Sequence, residues 1–153
     1  LLVWESLALN FIHADDPANP WVYGHTSRDL YRLTRKVDEI IDGLPGGTEP
    51  AIEIIAPESD YWPLPWYFRA HENCGWFNEV DLSLAPAPII IASVQVRDSL
   101  LKKFYEVPPP GEKHLYLPLV DLPVKLRPGV LLEAYIRKDV YDEYTRRSGG
   151  DGG

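Results

Sequence analysis

The chain has 153 residues, 45% of them hydrophobic and 25% charged, which is enough apolar content to bury one core and too much for a disordered segment. Its formal net charge is −8, and that sign disfavours both nucleic acid, bound largely through phosphate neutralisation, and an anionic lipid surface. The single cysteine, Cys74, allows no internal disulfide, and no run reaches the ~20 apolar residues that cross a bilayer as a helix.

The chain opens at Leu1 on the apolar stretch LLVWESLALNFI (1–12) and contains no methionine. This reads as a piece of a longer protein, with residues 1–12 as the end of a membrane helix or an interfacial segment. A soluble domain is expected over 13–147 and a flexible tail, SGGDGG, over 148–153. Residues 13–25 carry Pro17, Pro20 and Gly24 and read as a loop. The strongest helical signal follows. Leu30, Leu33, Val37, Ile40, Ile41 and Leu44 recur at helical spacing, with Thr26 as expected N-cap, Asp29 near the positive end and Gly43 with LPGG as the stop.

AIEIIA (51–56), closed by Pro57, predicts a buried strand. In DYWPLPWYFRAH (60–71) two prolines fit a turn that enters a short helix over 64–71. GWFNEVDL (75–82) is compatible with a short strand, and PIIIAS (88–93) predicts a second buried one. VRDSLLKKFY (96–105) predicts a helix with Leu100, Leu101 and Phe104 inward. After the stiff loop EVPPPGEK (106–113), HLYLPLV (114–120) reads as strand, PVKLRPG (123–129) as a stretch containing a turn, VLLEAYIR (130–137) as strand and KDVYDEYTRR (138–147) as helix with Val140, Tyr141 and Tyr144 inward. Buried strands alternating with helices predict an α/β fold: a small two- or three-layer sandwich with a mostly parallel central sheet and an antiparallel edge. AIEIIA and PIIIAS, apolar on both faces, are expected side by side at its centre.

The densest local feature is Tyr61-Trp62-Pro63-Leu64-Pro65-Trp66-Tyr67-Phe68-Arg69, directly after a predicted strand. Ligands of open α/β sheets bind beyond the carboxyl ends of strands. Aromatic faces stack on the apolar C–H patches of sugar rings, and Asp60 and Arg69 can hydrogen-bond hydroxyls or an anion. The same aromatics also fit core filler stiffened by proline. A second cluster, Asn19-Pro20-Trp21-Val22-Tyr23-Gly24-His25-Thr26, precedes a helix N-terminus and fits either an anion pocket or a capping loop packed on Trp21. Helix topology is expected to bring the two clusters to one rim. His13, Asp15 and Asp16 lack further metal ligands at a recognisable spacing, and the lone pair His71 and Cys74 falls short of the four a zinc site needs. Glu53 and Glu58 bracket a strand end without the context of a catalytic pair, and no phosphate loop or nucleophile motif occurs. The basic runs Arg32–Arg35–Lys36, Lys102–Lys103 and Arg146–Arg147 read as solvated faces.

NPWVYGHTSRDLYRL (19–33), AIEIIAP, DYWPLPWYFR (60–69) and RPGVLLEAYIRKDVY resemble the C-terminal soluble part of the flippase activity-associated membrane proteins, which are similar to glycosyltransferase family 39 of the protein mannosyltransferase type. The resemblance runs over most of 13–145 and is sharpest in the first and third strings. It implies a parent with many membrane helices, this domain on the extracytoplasmic face of the membrane, and a sugar delivered from a polyprenyl phosphate. The family's catalytic acid lies in a loop between early membrane helices, so no catalytic residue is implied here. Asn19, His25, Tyr61, Trp62, Trp66 and Arg69 carry over as motif positions without an assigned role. The function expected is a domain that binds or orients a glycan, an acceptor or a lipid-linked sugar beside its own upstream membrane part, with candidate ligand residues Asn19, Trp21, His25, Asp60, Tyr61, Trp62, Trp66 and Arg69 and no cofactor. A purely structural interaction domain and a free-standing small α/β enzyme are the alternatives.

Overall fold

The computed structural model describes residues 27–47 and 49–149. Asn19, Trp21, His25, the 1–12 segment and the Asp15–Asp16 turn, and with them the expected meeting of the two aromatic clusters, lie outside these residues.

Helix α1 (Arg28–Asp42) forms as its spacing predicts, and Leu30, Leu33, Val37 and Ile40 are wholly buried. Its N-cap is Ser27 rather than Thr26: the Ser27 hydroxyl accepts from the Leu30 N–H at 3.2 Å and donates to the Lys125 carbonyl. Strand β1 (Ile52–Ile55) is buried along its whole length. Helix α2 is one turn, Leu64–Tyr67, shorter than the predicted 64–71. Strands β2 (Cys74–Phe77) and β3 (Ile89–Ser93), helix α3 (Arg97–Tyr105) and strand β4 (Tyr116–Pro118) follow. The PVKLRPG segment holds a strand as well as a turn: β5 (Val124–Arg127) pairs antiparallel with β6 (Val130–Arg137) through Pro128 and Gly129, whose φ of 84° belongs to the left-handed region that glycine occupies freely. Helix α4 (Lys138–Ser148) closes the described chain.

The fold is α/β, as the alternating pattern predicts. The described strands form one six-stranded mixed sheet in the order β2-β1-β3-β6-β4, with β5 also on β6. β1 pairs in parallel with β2 and β3, so AIEIIA and PIIIAS are central neighbours as expected, with Ile52 opposite Ile89 and Ile54 opposite Ile91. β6 runs antiparallel to β3, β4 and β5 and supplies the antiparallel edge. From β1 the chain crosses outward to β2, then back past β1 to β3. Right-handed crossovers in opposite directions must use opposite faces, and Leu64 and Phe68 of the first pack in one core cluster while Val80 and Ala87 of the second pack against the other.

The sheet therefore has helices on both sides. On one face α1, α2 and α4 cover Ile52, Ile54, Ile89, Ile91, Leu132 and Ile136. Val140, Tyr141 and Tyr144 of α4 face this cluster as predicted. On the other face α3 brings Leu100 and Phe104 onto Ile55, Ile90 and Ala92, and Phe104 stacks on Tyr116 with centroids 4.0 Å apart. Leu101, expected inward, is 41% exposed, because α3 covers the sheet through one narrow stripe. Lys103, read as part of a solvated basic run, is buried: its ammonium meets the Glu53 carboxylate of β1 at 2.6 Å. No helix among the described residues is long and apolar enough to cross a membrane.

Candidate functional site

The loop leaving the carboxyl end of β1 is built from strained backbone. Glu58 and Ser59 both hold positive φ, 58° and 59°, which costs of order 1 kcal/mol or more per non-glycine residue. The conformation is held by Asn78, just beyond β2, whose Oδ1 accepts from the Ser59 N–H at 2.9 Å and from its hydroxyl at 3.0 Å. Asp60 pairs with Arg127 at the end of β5, which ties this loop to the antiparallel half of the sheet. Tyr61 lies half-buried against Trp76, ring centroids 5.1 Å apart. Of the motif's described candidates, Asp60 and Tyr61 are thus occupied in holding the loop.

The two tryptophans are not core filler. Trp62 is 64% exposed and Trp66 is 61% exposed, whereas Leu64 and Phe68 between and beyond them are buried. Successive tight turns produce this split: the Leu64 N–H bonds the Tyr61 carbonyl at 2.8 Å and the Trp66 N–H bonds the Pro63 carbonyl at 3.0 Å. Leu64 and Phe68, four residues apart, share the inward side, and Trp62 and Trp66, also four apart, are left outside. Trp66 and Arg69 face α1 across a groove of about 530 Å³. The Arg69 guanidinium lies 4.4 Å from the Trp66 ring centroid, and its Nη1 donates to the Trp66 carbonyl at 2.6 Å.

The opposite wall of this groove is the outer face of α1, with Tyr31, Arg35, Asp38 and Asp42. Arg35 reaches Glu39 at 3.3 Å, and its guanidinium lies 6.0 Å from the Tyr31 ring centroid. At the groove's end His71 is held on both ring nitrogens: Nε2 is 2.8 Å from Asp38 and Nδ1 is 3.0 Å from Glu49. The Asn73 side-chain amide also donates to the Glu49 carbonyl at 3.0 Å. This cluster fastens α1 to the segments entering β1 and β2.

Cys74, three residues on, is not a partner of His71. Burial, reinforced by the Glu49 carboxylate, pushes its thiol up to about 12, so at neutral pH it carries no thiolate to act as nucleophile or ligand. Among the described residues no three His, Cys, Asp or Glu side chains converge as metal ligands. Glu53 and Glu58 do not form a pair, since Glu53 is committed to Lys103. Tyr31, Asp38, Asp42 and His71 are the groove residues that reading the motifs missed. The signal was the polar stripe at 31, 35, 38 and 42, one face of α1 opposite its apolar stripe.

A second groove of about 530 Å³ opens between the 82–86 and 107–114 loops, with Leu82, Leu84, Pro86 and Val107 among its walls. No family model, curated protein or solved structure matches this chain.

Proposed function

We propose that this chain is a glycan-binding domain of a membrane glycosyltransferase-like protein, positioned on the extracytoplasmic side, where it holds a glycan, an acceptor or a lipid-linked sugar for chemistry carried out by the membrane part. The observation that carries the reading is the exposure of Trp62 and Trp66, the second of them on a groove shared with α1, in a chain that buries Leu64 and Phe68 of the same motif. Exposed aromatic platforms next to polar side chains suit the alternating apolar and hydroxylated faces of sugars. The resemblance of DYWPLPWYFR to the flippase activity-associated family supports the membrane setting.

Titration of the full chain with neutral oligosaccharides, followed by tryptophan fluorescence, tests this. Trp62→Ala and Trp66→Ala should each weaken binding by about 1 kcal/mol, roughly fivefold in Kd, with unfolding midpoints near that of the parent. Unchanged binding in both variants overturns the reading. The second groove, with Leu82, Leu84 and Val107 partly exposed, favours the alternative of a polypeptide-docking domain, which predicts no glycan response at all.

A further inference from the structure

The two edges of the sheet are finished differently. On the antiparallel half, β4 carries Pro118, β5 carries Lys125 and Arg127, and the Ser27 hydroxyl occupies the Lys125 carbonyl. Proline, charge and cover are the ordinary means of closing a strand edge against further pairing. At the other end of the sheet lies β2, which among the described strands pairs with β1 alone. Its four residues, Cys74, Gly75, Trp76 and Phe77, include neither proline nor charge. We propose that β2 is a docking edge, to which an extended basic polypeptide adds as a further strand.

The pairing with β1 fixes which backbone groups are free. The Ile52 and Ala56 N–H groups bond the Asn73 and Phe77 carbonyls, so Asn73, Gly75 and Phe77 face β1. Alternation turns the N–H and C=O groups of Cys74 and Trp76 the other way, and these meet no backbone partner among the described residues. Unpaired groups along an edge are a template for an incoming strand, and main-chain hydrogen bonds supply its affinity. A groove of about 720 Å³ opens beside this edge, lined by Trp76, Phe77 and the 78–83 segment that follows.

Charge decides the occupant. Exposed Glu72 precedes the strand and exposed Glu79 follows it, and neither has an ion pair among the described residues. Antiparallel pairing of two copies centred on β2 would bring Glu72 of each copy beside Glu79 of the other, in a chain of net charge −8, and like-charge repulsion opposes that. Lysine or arginine side chains on an added strand meet these carboxylates, while their aliphatic stems lie along Trp76 and Phe77.

Labelled peptides of about eight residues, titrated into the full chain and followed by fluorescence anisotropy, test this. An alternating Lys/Val peptide should bind at least about tenfold tighter than its Glu/Val counterpart at low salt. Methylating every second backbone nitrogen of the Lys/Val peptide should abolish binding in one register and spare it in the other, because an added strand turns alternate N–H groups toward β2. In hydrogen exchange the Cys74 and Trp76 amides should gain protection when the peptide binds. Glu72→Gln with Glu79→Gln should weaken binding about fivefold at an unchanged thermal midpoint. Equal binding of both methylated forms overturns the proposal, since charge alone then holds the peptide. Protection that appears elsewhere, equal binding of the Glu/Val peptide or no binding overturns it too. So does a dimer in sedimentation whose Cys74 and Trp76 amides are protected without peptide, because a second copy then fills the edge. This edge shares no residue with the groove between α1 and α2, so each of these outcomes leaves the glycan reading where it stands.

Discussion

In the middle of β1, among isoleucines, stands Glu53, with Lys103 of α3 as its partner across fifty residues of chain. Its second oxygen accepts from the Ala87 N–H at 3.3 Å. A buried pair of this kind adds little against a well-packed apolar replacement, but removing one member strands the other charge, at about 3–5 kcal/mol. Lys103→Met should lower stability by that amount in urea unfolding, and the double variant Lys103→Met with Glu53→Leu should recover most of it. A second residue-scale expectation concerns acid. The Arg97 hydrogen bond holds the Glu133 carboxyl below its ordinary range, and the Tyr135 hydroxyl adds to this. Because the folded-state value is the lower one, this stabilisation is complete above the unfolded carboxylate range and is lost as pH falls through the lowered value. Glu133→Gln should therefore flatten the decline in urea midpoint between about pH 5 and pH 2, while leaving a lower plateau at neutral pH.

Between elements, α1 ends at Gly43 against Tyr144 of α4. Its φ of −80° is open to any residue, so conformation does not demand glycine. Space does: a Cβ there would lie 2.7 Å from the Tyr144 ring. Gly43→Ala should destabilise by roughly 1–3 kcal/mol through overpacking, and Tyr144→Leu in the same chain should relieve part of that loss. The opposite result, stabilisation by the alanine, would mean α4 is free to shift. At the same scale the single-turn α2 explains why the aromatic motif divides: four-residue spacing sends Leu64 and Phe68 into the core and Trp62 and Trp66 out of it.

For the molecule as a whole, stability and the candidate site are carried by different residues. Ile91, at the centre of the sheet and wholly buried, should cost about 2–5 kcal/mol when cut to alanine. Trp62→Ala should stay within about 0.5 kcal/mol of the parent. Thermal and urea unfolding of both variants check this contrast, and a large loss from Trp62→Ala would assign the motif to structure after all.

Local periodicity was enough to place α1, β1, β3, β6 and α4, and with them the α/β class, because each buries a face whose spacing can be read along a few residues: Leu30, Leu33, Val37 and Ile40 for the helix, unbroken isoleucines for the central strands. β5 was obscured by the turn of Pro128 and Gly129 beside it, and only its pairing with β6 makes it a strand. The candidate site was legible as a composition, aromatics after a strand, but not as a geometry. Which tryptophans face solvent, that Asp60 goes to Arg127, that His71 belongs to Asp38 and Glu49 rather than to Cys74, and that one lysine of Lys102–Lys103 is buried were decided by the tertiary structure. Apart from the tryptophans, these contacts join residues 22 to 67 positions apart. Local spacing reports which face is buried, whereas the partner a polar group meets there depends on how the distant elements pack.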